Sequence, residues 1–161
     1  MSIRTAIITI SNSKSRGEGE DTGGAALAAW AEGIGVELVG RDLIPDDRDQ
    51  IEARLCHWAD VEHCELVLTT GGTGFTASDV TPEATKAVIE RDVPGIGEAM
   101  RAAAREYTKH WMLSRALAGI RGTTLIINFP GNPKSIAESG AAIADALPHG
   151  LALIAGRHSA H

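Results

Sequence analysis

A chain of 161 residues with 43% hydrophobic side chains can bury a real core in one domain and is too short to divide comfortably into two. Its formal net charge of -6 argues against a surface that neutralises a nucleic-acid backbone, which needs a basic face. The N-terminal stretch has no apolar run long enough for a signal or membrane segment, and with only two cysteines the chain is expected to work in a reducing, cytoplasmic setting away from membranes.

Arg4 to Ile10 (RTAIITI) is β-branched and apolar and stops at the polar stretch SNSKSRGEGED, which predicts a strand and its loop. Asp21 or Thr22 can cap the next segment, where Leu27, Trp30, Ala31 and Ile34 recur at helical spacing until Gly33 and Gly35 weaken it. Val36 to Ile44 reads as a second strand. After Pro45 and its aspartates, Ile51, Leu55, Trp58 and Ala59 share one apolar face and predict a crossover helix. Cys56-His57 and His63-Cys64 offer four groups that could ligate zinc, but zinc sites use looser spacings. The favoured reading packs Cys56 on a helix face and lets Cys64 lead into a buried strand.

Glu65 to Thr70 (ELVLTT) is that third strand. Thr81-Pro82-Glu83 combines an N-cap, a proline at the first helical position and an acidic first turn, opening a helix to about Glu90. Pro94 starts another through Met100 and Arg105. Residues 107 to 123 show no clear period and read mostly as loop. Thr123 to Phe129 (TTLIINF) is a buried strand broken by PGNP, after which Ile136 and Ile143 lie on one helical face and Pro148 begins a last helix. Residues 1–156 thus form one domain, and the tail RHSAH, 157–161, is expected to fray.

Strands alternating with helices imply right-handed crossovers and an α/β three-layer sandwich, a mainly parallel sheet with helices on both faces. Ligands bind beyond the carboxyl ends of such strands. The loops 11–21, 45–49, 71–80 and 128–135 follow predicted strands and should share that edge.

Thr69 to Gly74 (TTGGTG) places three glycines at a strand end, where backbone N–H groups can approach a phosphate, although the same residues also make an ordinary tight turn. Neither standard nucleotide-binding motif, G-x-x-x-x-G-K-[ST] or G-x-G-x-x-G, is present. Asp79 precedes a helix that Thr81 is already placed to cap, which frees it to point elsewhere. Asp46, Asp47 and Asp49 suit turns and caps; with the parallel sheet, Asp46 and Asp79 also lie where hard oxygen ligands could hold Mg²⁺ on a polyphosphate. Pro130 to Ser135 (PGNPKS) joins a rigid turn to a helix N-terminus with an amide and an ammonium group, readable as a plain turn or as an anion site.

These motifs together resemble the MogA/MoaB family of molybdopterin adenylyltransferases, a family also represented by the pterin-binding G domains of plant and animal molybdenum-cofactor proteins. The resemblance covers nearly the whole chain. It rests on TTGGTG at 69–74 with DVTPEAT at 79–85, PGIGEAM at 94–100, LSRALAGIRG at 113–122 and INFPGNPKSIAE at 127–138, with SRGEGEDTGG at 15–24 and IPDD at 44–47 in the expected order. It implies Mg²⁺-dependent transfer of AMP from ATP to the phosphate of molybdopterin with release of pyrophosphate. By motif, Asp46 and Asp79 become the carboxylates of catalysis and Mg²⁺ handling, and Ser114 a position needed for reaction. Asn128, Pro130, Gly131, Asn132 and Lys134 match the region that helps hold the pterin. Gly71, Gly72, Thr73 and Gly74, with Ser11 and Ser13, would face phosphates or nucleotide. The resemblance further suggests a homotrimer or hexamer and hand-over to a downstream molybdenum-insertion protein. Gly23 stands where the family commonly has serine, and Phe75 to Ser78 fall in a variable stretch. The competing reading is a molybdopterin carrier or scaffold without chemistry; a metal-insertion relative of the same fold fits less well because it lacks the DVTP form.

Overall fold

The computed structural model describes residues 2–157. In chain order it contains β1 (Arg4–Ile10), α1 (Asn12–Ser15), α2 (Thr22–Gly33), β2 (Glu37–Ile44), α3 (Arg48–Cys56), which runs into a π-helical turn (His57–Val61), and β3 (Leu66–Thr70). There follow α4 (Thr81–Val88), β4 (Arg91–Asp92), α5 (Pro94–Ala104), a 3₁₀ turn (Trp111–Leu113), β5 (Ala118–Arg121), β6 (Thr124–Phe129), α6 (Pro133–Ile143) and α7 (Leu147–Ile154).

The six strands form one sheet in the order β2-β1-β3-β6-β5-β4. The first four are parallel, and β5 and β4 add antiparallel pairings at one edge. Because side chains alternate along a strand, each parallel strand feeds two cores. Ile7, Leu66, Leu68, Ile127 and Phe129 pack with Leu27, Met100, Ile136 and Leu151 of α2, α5, α6 and α7. Ala6, Ile8, Val67 and Ile126 pack on the other face with Ile51, Leu55, Trp58 and Val88. The predicted three-layer α/β sandwich with helices on both faces is therefore present.

The sequence reading missed the antiparallel edge. Residues 107–123, expected to be mostly loop, contain the 3₁₀ turn and β5, and β4 lies in the linker before α5. These strands have four and two residues, too short to impose a period, and pairing of β5 with β6 and of β4 with β5, rather than intrinsic preference, makes them extended.

Cys64 is buried in the second core, and burial pushes its thiol up to about 11. Cys56 packs partly against the same cluster. His57 Nε2 lies 3.4 Å from Glu62, so the residues around the cysteines are engaged in packing and pairing. Arg157 donates its backbone N–H to Ala152 and its guanidinium to Glu65 at 2.7 Å, while residues 158–161 of the expected frayed tail lie outside the described residues. No helix among the described residues is long and apolar enough to cross a membrane.

Candidate active site

The sheet register aligns the ends of the parallel strands: Ile10 lies opposite Ile44, and Thr70 opposite Phe129. The four loops singled out in the sequence consequently leave the sheet at one edge, and they are stitched together there. Ser11 N–H donates to Ile44, Gly71 N–H donates to Phe129, and the Thr70 hydroxyl donates to the Pro130 carbonyl at 2.7 Å.

The glycine loop is shaped by close approach. Gly71 has φ 98° and Gly72 φ 69°, left-handed values that a side chain rarely adopts. A Cβ on Gly71 would strike the Ile10 carbonyl, and one on Gly72 would strike the Thr81 hydroxyl and lie 3.0 Å from Asp46 Oδ1. The Gly71 N–H is taken by Phe129, whereas the N–H groups of Gly72, Thr73 and Gly74 donate to no protein oxygen among the described residues. The loop lies between two carboxylates, that of Asp46 beside Gly72 and that of Asp79, whose Oδ2 is 2.8 Å from where a Cβ on Gly74 would stand.

The two carboxylates reach this loop by different routes. Asp46 exchanges hydrogen bonds with Asn12: Asn12 N–H donates to Asp46 Oδ2 at 3.0 Å and Asp46 N–H donates to Asn12 Oδ1 at 2.9 Å. Its neighbour Asp47 caps α3 by accepting from Gln50 N–H, so the capping role falls on Asp47 and leaves Asp46 for the site. Burial first, and then the negative charge of Asp79, push the Asp46 carboxyl above the ordinary carboxylate range, against the pull of the Asn12 N–H. Asp79 accepts from Thr76 N–H at 3.0 Å in its own tight turn. Thr81, expected to cap α4, does not do so: Val80 holds the cap position without a side-chain bond, and the Thr81 hydroxyl donates instead to the Gly71 carbonyl at 2.9 Å. Tertiary contact with the glycine loop has taken the hydroxyl from the helix end.

Two cavities flank the Pro130-Gly131 turn. One, about 190 Å³, brings together Ser11, Lys14, Asp21, Thr70, Gly71 and Gly131. The other, about 160 Å³, is lined by Ser114 and Pro130 with Arg101, Trp111, Ser135 and Ser139. Ser13 is held behind Ser11, hydroxyl to hydroxyl at 3.3 Å. Asn132 caps α6 by accepting from Lys134 N–H, and the Lys134 side chain is exposed. Asn128 is fully buried, its amide donating to the Thr69 and Thr85 hydroxyls and accepting from Leu117 N–H. Its side chain opens to neither cavity. A larger apolar cavity of about 490 Å³, between α5, α6, α7 and the antiparallel edge, holds none of the predicted site residues.

Sequence reasoning missed two cations. Lys14 lies within the polar loop already singled out and lines the Ser11 cavity. Arg115, in the segment read as loop, packs against the glycine loop: its N–H donates to Thr73, and its guanidinium reaches the Gly74 and Asp79 carbonyls and Glu83. The LSR motif was a pointer to that position, but no spacing rule predicts three acceptors gathered from distant positions.

The arrangement suits a bound polyphosphate: backbone donors, a lysine in the neighbouring cavity and two hard carboxylates, one just past β2 and one in the loop that enters α4. Two carboxylates with no third protein ligand among the described residues fit Mg²⁺, which keeps several waters and is commonly shared between one or two carboxylates and substrate phosphates.

Comparison with known proteins shows the family to which the chain belongs. Residues 6–149 match the family described as "Probable molybdopterin binding domain". The molybdopterin adenylyltransferase of Helicobacter pylori strain J99 is 40% identical, covering 97% of this chain and 90% of its own length. That of Escherichia coli K12 is 44% identical over 89% of this chain and 75% of the relative. The crystal structure of the molybdopterin biosynthesis enzyme MoaB from Thermus thermophilus superposes with a TM-score of 0.90 at 43% identity, covering 96% of this chain and 97% of the other.

Proposed function

Since this chain belongs to the molybdopterin-binding family of molybdenum-cofactor biosynthesis, we propose that it is a molybdopterin adenylyltransferase, a nucleotidyltransferase that moves AMP from Mg-ATP to the phosphate of molybdopterin and releases pyrophosphate. The observation that carries the reading is the convergence of Asp46 and Asp79 on a glycine loop whose Gly72, Thr73 and Gly74 N–H groups face no protein acceptor among the described residues.

The chemistry follows from charge. An oxygen of the pterin phosphate attacks the α-phosphorus of ATP, a P–O bond forms, and the bond to the β-phosphate oxygen breaks so that pyrophosphate leaves with its electron pair. The attacking group is already a nucleophile, and the obstacle is crowding of negative charge. The Gly72 to Gly74 N–H groups bind and orient the phosphate chain, and Lys14 adds positive charge from the adjacent cavity. Asp46 and Asp79 would hold Mg²⁺, which when bound neutralises phosphate charge and polarises the P–O bonds. A cation there also offsets the burial and carboxylate repulsion that push Asp46 upward. Ser114 offers a hydroxyl to the second cavity, and the Pro130-Gly131-Asn132 turn, leading to Lys134, lies between that cavity and the glycine loop on the side assigned to the pterin. Ser11 and Ser13 belong to the nucleotide side.

Free Cys56 and Cys64 support a reducing, cytoplasmic setting. A homotrimer or hexamer, and a downstream molybdenum-insertion protein as recipient, rest on the family resemblance.

The test is pyrophosphate release from ATP and Mg²⁺, with and without molybdopterin. Release that requires the pterin and falls by about 10²- to 10⁴-fold in Asp79→Ala and in Asp46→Ala is expected. Tight pterin binding without pyrophosphate from the wild type would leave a carrier or scaffold.

A further inference from the structure

Between Gly74 and Asp79 the chain makes an excursion, Phe75 to Ser78, in which every residue is exposed and Phe75 is 69% exposed. Such a loop, with few packed contacts of its own, belongs to the low-stability end of a fold. Yet its two ends carry the groups that must stay in place, the last donor of the glycine loop and the carboxylate of Asp79.

Arg115 joins those ends. Nε donates to the Gly74 carbonyl at 2.7 Å, Nη2 to the Asp79 carbonyl at 2.8 Å, and Nη1 to Glu83 Oε2 at 2.7 Å in the first turn of α4. Its backbone N–H donates to Thr73 at 2.9 Å. The arginine itself is held on both sides. Arg101 donates to the carbonyls of Ser114 and Ala116, and Leu117 exchanges hydrogen bonds with buried Asn128. One guanidinium face thus spans the base of the exposed excursion and ties it to a helix, with an anchor in the buried interior.

We propose that Arg115 is a positioning residue, which acts through the carbonyls of Gly74 and Asp79 to keep the glycine-loop donors and the Asp79 carboxylate in register, with Glu83 fixing the direction of the fork. The planar guanidinium is needed because its three nitrogens serve three separate acceptors; an ammonium group is a point donor on a flexible stem and cannot hold all three at once. The side chains of Phe75 to Ser78 are then free to vary so long as the Thr76 backbone keeps its two hydrogen bonds with Asp79. This role in turnover rests on the adenylyltransferase reading; the ordering of the loop does not.

The experiment compares wild type, Arg115→Ala and Arg115→Lys by amide hydrogen exchange and by steady-state kinetics of pyrophosphate release. Faster exchange at residues 72–80 in both variants, with the strand amides of residues 4–10 and 124–129 unchanged, is expected. A kcat lower by about 10²-fold is expected with it, because small misplacements of reacting groups have costs of that order, and KM for ATP should move much less. Arg115→Lys should recover little. Unchanged exchange at 72–80, or exchange that rises equally throughout the chain, overturns the proposal, as does local loosening with wild-type kcat. A wild type that binds the pterin and releases no pyrophosphate defeats the functional reading alone, and exchange then decides the positioning by itself. If Arg115→Ala does not fold, Arg115→Lys carries the same two readouts.

Discussion

In the parallel half of the sheet, β2-β1-β3-β6, the inner strands are buried on both faces, and each strand ends in a loop bearing a recognisable chemical group: Ser11, Asp46, Gly71, Pro130. The antiparallel edge differs in both respects. β5 and β4 have four and two residues, β4 is exposed, and the segment that feeds β5 carries Ser114 and Arg115, whose partners are mostly backbone carbonyls. One half supplies most of the core and, under the proposed function, the two carboxylates, while the other brings Ser114 and Arg115 up to them. Stability and catalysis should accordingly respond to different substitutions.

The largest effect on folding should come from the parallel half. Phe129 is fully buried and its ring lies 5.0 Å from that of Trp30, so Phe129→Ala should destabilise by about 3–5 kcal/mol in chemical denaturation. A loss below about 1 kcal/mol would mean that the core does not concentrate there. Next comes the junction of the two halves. Gly72→Ala forces a side chain into a φ of 69° and against Thr81, whose hydroxyl bonds Gly71; about 1–3 kcal/mol is expected in thermal unfolding, together with loss of pyrophosphate release.

The smallest effect sharpens the contrast at the antiparallel side. The Arg115 guanidinium, by hydrogen bond and charge, holds the Glu83 carboxyl below its ordinary range. A carboxylate whose folded value lies below its unfolded value of about 4.3 contributes stability that is full above the unfolded value and lost as pH falls through the folded one. Glu83 is 42% exposed, so solvent screening limits the pair to about 1 kcal/mol or less. Glu83→Gln should therefore be slightly less stable than wild type at neutral pH, and the gap measured by urea denaturation should close under acid. A gap that persists well below the ordinary carboxylate range would mean that the charge is not what matters.

Much of this protein was legible in its residues. β-branched apolar runs such as RTAIITI and TTLIINF carry enough local preference and hydrophobicity to mark buried strands, and glycine, proline and aspartate mark the loops that follow, because few other residues tolerate those turns. Alternation of strand and helix then implies a parallel sheet, and a parallel sheet puts Asp46 and Asp79 at one edge. The TTGGTG, IPDD and PGNP motifs lie in those loops, whereas PGIGEAM opens α5 and LSRALAGIRG leads into β5.

Which of several competent groups takes each role is settled by folding. Asp47, not Asp46, caps α3; Thr81 binds the glycine loop and not its own helix end; Asn128 commits its whole amide inside the core. Short β5 exists because β6 offers it an edge and β4 because β5 does, and three acceptors from separate positions meet at the one guanidinium of Arg115. The physical reason is common to all of these. Propensity and period act between neighbours in the chain, whereas a hydrogen bond between distant residues is chosen by geometry that exists only after the sheet has formed.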